Sequence, residues 1–224
     1  MKWSQLIPRA ALCWRNEMDY EATMNYKSVN FGLMEGNNGL LIIKTGSGGT
    51  IYGHENKYLT MAKKIQSQYS FGVIVSDNPV ELAAADNMAV TMSVAKNYWE
   101  ENTLEKAYYL GVSKGAQYGA MYAYQYDWVT KWLLLNMPLM INWHHSRAGL
   151  EKLLPIQQMT MLWGDRDPSY KFIELIDTIK GKDITKVILP GVDHNLSGTA
   201  GDFVKLLEKY LFERLTIVNE RRCF

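Results

Sequence analysis

One short segment constrains this chain more than any other. The apolar run Ala107-Tyr108-Tyr109-Leu110 is followed at once by Gly111-Val112-Ser113-Lys114-Gly115, and a helix-like stretch begins at Ala116. A G-x-S-x-G pentapeptide between a strand and a helix makes a tight turn, which strains the backbone of the serine and pushes its hydroxyl outward. Glycine is needed on either side because a side chain there would collide with the neighbouring strand and helix. The helix starting beneath the serine aims unpaired N–H groups and a partial positive charge at any anion forming above it. Taken alone, the pentapeptide also suits a plain strand-to-helix turn, so the rest of the chain decides between the two.

The hydrophobic pattern supplies the alternation that such a turn belongs to. Residues 25–35 read as a strand, and Gly36-Asn37-Asn38-Gly39 as a turn that folds the next run, Gly39 to Ile43, back as a hairpin. A glycine-rich loop, Lys44 to Thr50, follows. His54 to Gln68 has helical spacing, with Tyr58, Met61, Ala62 and Ile65 on one face. Further strands are expected at 71–75, 106–110, 128–135, 158–163 and 185–189, and further helices at 81–101, 116–124, 170–179 and 201–211. Met140 to Leu153 is poorly patterned and holds one expected helix. Alternating strands and helices imply right-handed crossovers and an α/β fold, a mostly parallel central sheet flanked by helices on both faces. Functional residues then gather at the carboxyl ends of the strands. With no repeat or linker, residues 1–224 read as a single domain, 1–25 being an N-terminal extension packed on the core.

Composition narrows the partners. The chain has 224 residues, 47% hydrophobic and 21% charged, with a formal net charge of +1. Such a balance gives no long-range field favouring nucleic acid or an anionic membrane, so neither is expected as a partner. No run of about 18 apolar residues suggests a membrane span. The start, Met1-Lys2-Trp3, is interrupted by Gln5, Pro8 and Arg9 and lacks the apolar core of a secretion signal. Cys13 and Cys223 match no metal spacing and read as reduced thiols in a cytoplasmic protein. The oligomeric state is left open.

A serine nucleophile needs a base, the base an orienting acid, and the oxyanion needs donors. Trp163-Gly164-Asp165-Arg166-Asp167-Pro168 closes the strand that starts at Gln158. Asp167 is the chosen acid and Asp165 the competitor; Asp167 also suits a plain helix cap, with Pro168 at the first helical position. Among the four histidines, His194 alone follows the acid and a strand, in Pro190-Gly191-Val192-Asp193-His194-Asn195. His54 lies early, and the adjacent His144 and His145 cannot form an i, i+4 metal pair. The order Ser113, Asp167, His194 is that of a serine hydrolase on this type of sheet. The glycine loop after Ile43 offers the backbone N–H of Ser47, and Lys114 supplies a second N–H, together an oxyanion hole. The same loop could cradle a phosphate, but it lacks the Gly-Lys-Ser/Thr ending of a P-loop.

On Thr45-Gly46-Ser47-Gly48-Gly49, Gly111-Val112-Ser113-Lys114-Gly115, Gly164-Asp165-Arg166-Asp167 and Asp193-His194, the chain resembles the α/β-hydrolase superfamily over about residues 25–215. Many relatives carry His-Gly where this chain has Thr45-Gly46. The elbow Ser113-Lys114-Gly115-Ala116 is similar to that of dienelactone-hydrolase-like and acyl-CoA thioesterase members. The resemblance implies an eight-stranded sheet, here short of a strand at the N-terminal edge. It also implies hydrolysis of an ester or thioester of a small acyl substrate through an acyl-serine, with no metal or organic cofactor. A peptide or lactone hydrolase, or a ligand-binding protein without catalysis, would use the same pocket. The lid of this fold grows from the connection after the strand following the elbow helix. Here about 136–155 leaves room only for a minimal, one-helix cover. Met137, Met140, Trp143 and His144 are its candidate pocket walls, with core packing the competing role for Met and Trp.

Overall fold

The computed structural model describes residues 19–198 and 201–212; both cysteines lie outside these ranges. Eight strands form one sheet in the order β1-β2-β4-β3-β5-β6-β7-β8. They are β1 (Ala22–Tyr26), β2 (Val29–Met34), β3 (Leu40–Lys44), β4 (Gly72–Ser76), β5 (Ala107–Val112), β6 (Lys131–Leu135), β7 (Gln158–Gly164) and β8 (Ile184–Leu189). From β4 to β8 every neighbouring pair is parallel, whereas β1 and β2 add on antiparallel.

The N-terminal edge corrects three expectations. Residues 22–26 are a strand of the sheet rather than part of an extension, and the sheet has its eight strands in full. The hairpin lies between β1 and β2, with Tyr26 opposite Val29. Its two turn residues, Lys27 and Ser28, both take positive φ, 49° and 65°. A two-residue turn of that hand matches the twist of the strands it joins, but Asn and Gly are its usual residues, so the sequence gives no cue. Finally, β2 does not fold back on β3. It pairs with β4, which lies between the two. The Gly36–Gly39 stretch instead passes under β4, where the N–H groups of Asn37 and Asn38 both donate to the carbonyl of Ser70, at 3.0 Å each.

The helices are α1 (Lys57–Tyr69), α2 (Ala84–Glu101), α3 (Lys114–Tyr122), α4 (Trp143–Leu150) and α5 (Phe203–Leu207), the last continuing as a π turn over Glu208–Phe212. Pro168–Thr178, expected as an α-helix, is wound more tightly as 3-10 turns. Strand periodicity divides the core into two layers. Leu40, Ile42, Tyr109, Trp132, Leu134, Met161 and Trp163 pack on one face with α2 and α3. Leu41, Ile43, Leu110, Leu133, Leu135 and Leu162 pack on the other with α1 and the closing helix. The carboxyl ends of all the parallel strands therefore open on one edge, framed by rigid packing on both sides. Among the described residues no helix is long and apolar enough to cross a membrane.

Candidate active site

Ser113 follows β5 directly and sits at φ 52°, ψ −110°. A non-glycine residue there costs about 1–3 kcal/mol and persists only where its surroundings over-determine it. They do so here. The Ser113 N–H donates to the carbonyl of Leu135 at 2.8 Å, and its carbonyl accepts from Gln117 N at 3.0 Å. A Cβ on Gly111 would stand 2.6 Å from Ala116 N, and one on Gly115 would run into the carbonyl oxygen of Lys44. The pentapeptide thus brings the elbow helix hard against β3.

His194 and Asp167 meet this serine. Ser113 Oγ lies 3.0 Å from His194 Nε2, and His194 Nδ1 lies 2.5 Å from Asp167 Oδ2. The Asp167 side chain is fully buried while that of His194 remains 43% exposed. Its hydrogen bond to Asp167 raises the pKa of His194 from the ordinary histidine value; partial burial opposes this, and the charges of Asp167 and Asp193 add to it. A carboxylate at Nδ1 selects the tautomer protonated there, which leaves Nε2 free to accept the serine proton. The other acid is elsewhere: Asp165 is exposed and accepts from Gly191 N at 2.8 Å. The remaining histidines stay outside this arrangement, His54 beside Glu55 and His144 against His145.

Two residues that support His194 were not anticipated. Asn136, directly after β6, is fully buried at φ 48°. Its Nδ2 donates to the carbonyls of Asp193 and His194 at 3.0 and 2.9 Å, and its Oδ1 accepts from Gly164 N at 3.0 Å. One amide thereby ties the ends of β6 and β7 to the histidine loop. Asp193 Oδ1 accepts from Asn195 N and Ser197 N, both at 2.9 Å, and winds that loop on itself. The only sequence cue for Asn136 is an Asn, a residue that tolerates left-handed backbone, closing an apolar strand.

The glycine loop lies beside the elbow. A Cβ built on Gly46 would be 3.5 Å from that of Ser113. Thr45 N donates to Ser76 O at 3.2 Å, Gly48 N to Asn78 O at 2.9 Å and Gly49 N to Gly46 O at 3.0 Å. The N–H of Ser47 takes no part in these three contacts. Lys114 is the first residue of α3, so its N–H is one of the four donors a helix leaves unsatisfied.

No family model matches the chain, and no curated protein matches its sequence. Solved structures do match. Est1E from Butyrivibrio proteoclasticus superposes with a TM-score of 0.69 at 12% identity, covering 87% of this chain and 98% of its own. A dienelactone hydrolase from Anabaena variabilis gives 0.66 at 14% identity, covering 87% and 97%. An α/β serine hydrolase without a lid, from Xanthomonas campestris, gives 0.60 at 15% identity, covering 83% and 89%. The chain has the α/β-hydrolase fold.

In this α/β-hydrolase fold the connection between β6 and β7 carries one helix, α4, and no lid domain. Of the candidate walls, Met137 is corrected: it is fully buried in the core, and its carbonyl accepts from Trp163 Nε1 at 2.9 Å. Trp143 is partly buried and packs against the same core, and His144 is exposed. Met140 and Ile141 are exposed, at 63% and 52%. The Ile141 carbonyl is held by Nε2 of Gln117, one helical turn beyond Ser113. Val80, 68% exposed, lies near the glycine loop, its Cγ1 4.0 Å from where a Cβ on Gly48 would stand.

Proposed function

We propose that this chain is a serine hydrolase that cleaves a carboxylic ester or thioester through an acyl-serine. The observation that carries the reading is the unbroken relay from Ser113 through His194 to buried Asp167, built on a serine in strained backbone. His194 Nε2 takes the proton of Ser113 as the serine oxygen attacks the acyl carbon. Asp167 holds the imidazole in the competent tautomer and stabilises the imidazolium. The N–H groups of Ser47 and Lys114 receive the oxyanion, one at the loop and one at the start of the elbow helix. His194 then returns its proton to the leaving group, and a water deprotonated by the same ring releases the acid.

The exposed apolar residues near these loops support our reading of the substrate class. The exposed apolar side chains of Met140 and Ile141, and of Val80 beside the glycine loop, suit an apolar acyl or alkyl group. Among the described residues no lid domain lies between β6 and β7, which suits small soluble esters. Fold neighbours named as a dienelactone hydrolase and a serine hydrolase support hydrolysis as the reaction class.

The test is turnover of p-nitrophenyl esters from acetate to decanoate by wild type and Ser113→Ala, alongside fluorophosphonate labelling. Ser113→Ala should lose about 10⁴–10⁶ of kcat and all labelling. Folded wild-type protein that neither labels nor turns over any ester would move the site to ligand binding without catalysis.

A further inference from the structure

Lys44 ends β3 immediately before the glycine loop and is fully buried. A buried ammonium is costly unless it is fully hydrogen-bonded. Its three donors find three acceptors: the Asp77 carbonyl at 2.5 Å, Asn87 Oδ1 at 2.5 Å and Thr91 Oγ1 at 2.9 Å. Thr91 passes its own proton to the Asn87 carbonyl at 3.0 Å and lies 3.1 Å from Ser76 Oγ. The charge that acts on Lys44 is that of Asp77. Its carboxylate is turned to Asn30, accepting from the backbone N–H at 2.9 Å and the side-chain amide at 2.5 Å.

A chain of amides runs from this cation to the loop. Since Nζ claims the oxygen of Asn87, the Asn87 Nδ2 faces the other way and donates to Asn78 Oδ1 at 2.8 Å. That leaves Asn78 Nδ2 to donate to the carbonyl of Thr45 at 3.1 Å. The Asn78 backbone grips the loop twice more, at Gly48 N and Gly49 O. A reversed Asn87 amide would set its NH₂ against the ammonium, so the cation allows one polarity only. In a trans peptide the N–H points opposite the preceding carbonyl. Fixing Thr45 O on the Asn78 side therefore turns the Gly46 N–H to the opposite side and sets the path of the chain into Ser47.

We propose that Lys44 is a positioning residue for the oxyanion loop: its ammonium sets the polarity of Asn87 and Asn78, and these amides hold residues 45–49 against Ser113. The proposal rests on the hydrolase reading for the loop's purpose but not for its geometry. Burial lowers the pKa of Lys44 to about 7, with the Asp77 charge opposing the fall. A neutral amine has two N–H donors and a lone pair, so deprotonation leaves one of the three acceptors facing a lone pair and loosens the relay.

Hydrogen exchange of the full chain decides the geometry. Peptides spanning 44–50 and 76–80 should exchange about tenfold faster or more in Lys44→Met and Asn87→Asp, with β5 and β6 protected as in wild type. Asn87→Asp keeps a partner for the ammonium but loses the donor to Asn78, so it decides the matter if Lys44→Met does not fold. With a p-nitrophenyl ester, both variants should lose about tenfold or more in kcat at nearly constant KM. The wild-type kcat should also fall on the alkaline side, and that fall should be absent in Lys44→Met. Loop exchange as slow as wild type in both variants, or unchanged kcat beside an inactive Ser113→Ala, would overturn the proposal. Should wild type show no Ser113-dependent turnover, the hydrolase reading fails, and exchange still decides whether Lys44 positions the loop.

Discussion

Asp167→Asn is the sharpest perturbation of the relay, because the carboxylate does two jobs with two oxygens. Oδ1 accepts from Ser169 N at 2.6 Å and Oδ2 faces His194 Nδ1 at 2.5 Å. An asparagine has one oxygen, and the cap at Ser169 claims it. Its NH₂ must then face Nδ1, which forces the imidazole into the tautomer protonated on Nε2. That ring offers Ser113 a donor where a base is needed. The expected loss is about 10⁴ in kcat, the scale seen when a triad acid is replaced this way. At 1.36 kcal/mol per decade this is about 5 kcal/mol of transition-state stabilisation, while the surviving cap leaves the fold little changed. Asp165→Asn is the control: its carboxylate is exposed and makes one contact to Gly191 N, which an amide oxygen also satisfies. Its kcat should stay within about twofold of wild type, since an exposed charge is worth little. The assay is steady-state ester hydrolysis with urea unfolding of each variant. An Asp167→Asn enzyme as active as wild type, or an equal loss in Asp165→Asn, refutes the reasoning.

Other variants probe the supports. Gly115→Ala drives a Cβ into the Lys44 carbonyl and leaves another 2.7 Å contact to Thr45 O, so urea unfolding should report a loss of about 3 kcal/mol. Asn136→Ala strands the carbonyls of Asp193 and His194 and the N–H of Gly164, costing about 3 kcal/mol or more by the same assay and lowering kcat through the freed histidine loop. Because His194 must be neutral to act as base, kcat/KM should rise with pH through its raised pKa; a pH-independent rate down to about pH 5 would contradict this. The linked stability has the opposite sign: the protonated His194–Asp167 contribution is whole below the unfolded pKa of about 6.5 and fades as pH rises through the folded value. The stability gap between wild type and His194→Gln should therefore be larger in acid than in alkali.

What the sequence disclosed, and what it hid, has a physical pattern. The inner parallel strands were legible because burial on both faces makes them continuous apolar runs, such as Leu40–Ile43 and Leu133–Leu135. Ser113, Asp167 and His194 were legible because each follows a strand within a few residues. The β1–β2 turn was not, since Lys27-Ser28 carries no glycine or asparagine to announce its positive φ. Nor was the place of β4 between β2 and β3, which depends on pairings between distant segments. Asn136, Asn78 and Asn87 look like ordinary polar residues until burial and distant partners give them work; Lys44 finds Asn87 from 43 residues away. Met137 and Met140 differ from each other only in which way an aperiodic connection turns them.

The two readings of Asp167, helix cap and proposed catalytic acid, are compatible in the same terms. A buried carboxylate needs hydrogen-bond partners, and the cap at Ser169 supplies one while fixing the plane of the group. The second oxygen is left with a single direction, toward His194. Capping is thus the means by which the acid is aimed. The other strand ends follow the same logic. Lys44 at the end of β3, Asn78 after β4 and Asn136 after β6 hold backbone, at the same edge of the sheet as Ser113, Asp167 and His194. Asn136 alone braces the loops of two of them, bonding the Asp193 and His194 carbonyls and the N–H of Gly164. A strained serine at φ 52° can persist in that setting, because relaxing it would break the fixed contacts on both sides.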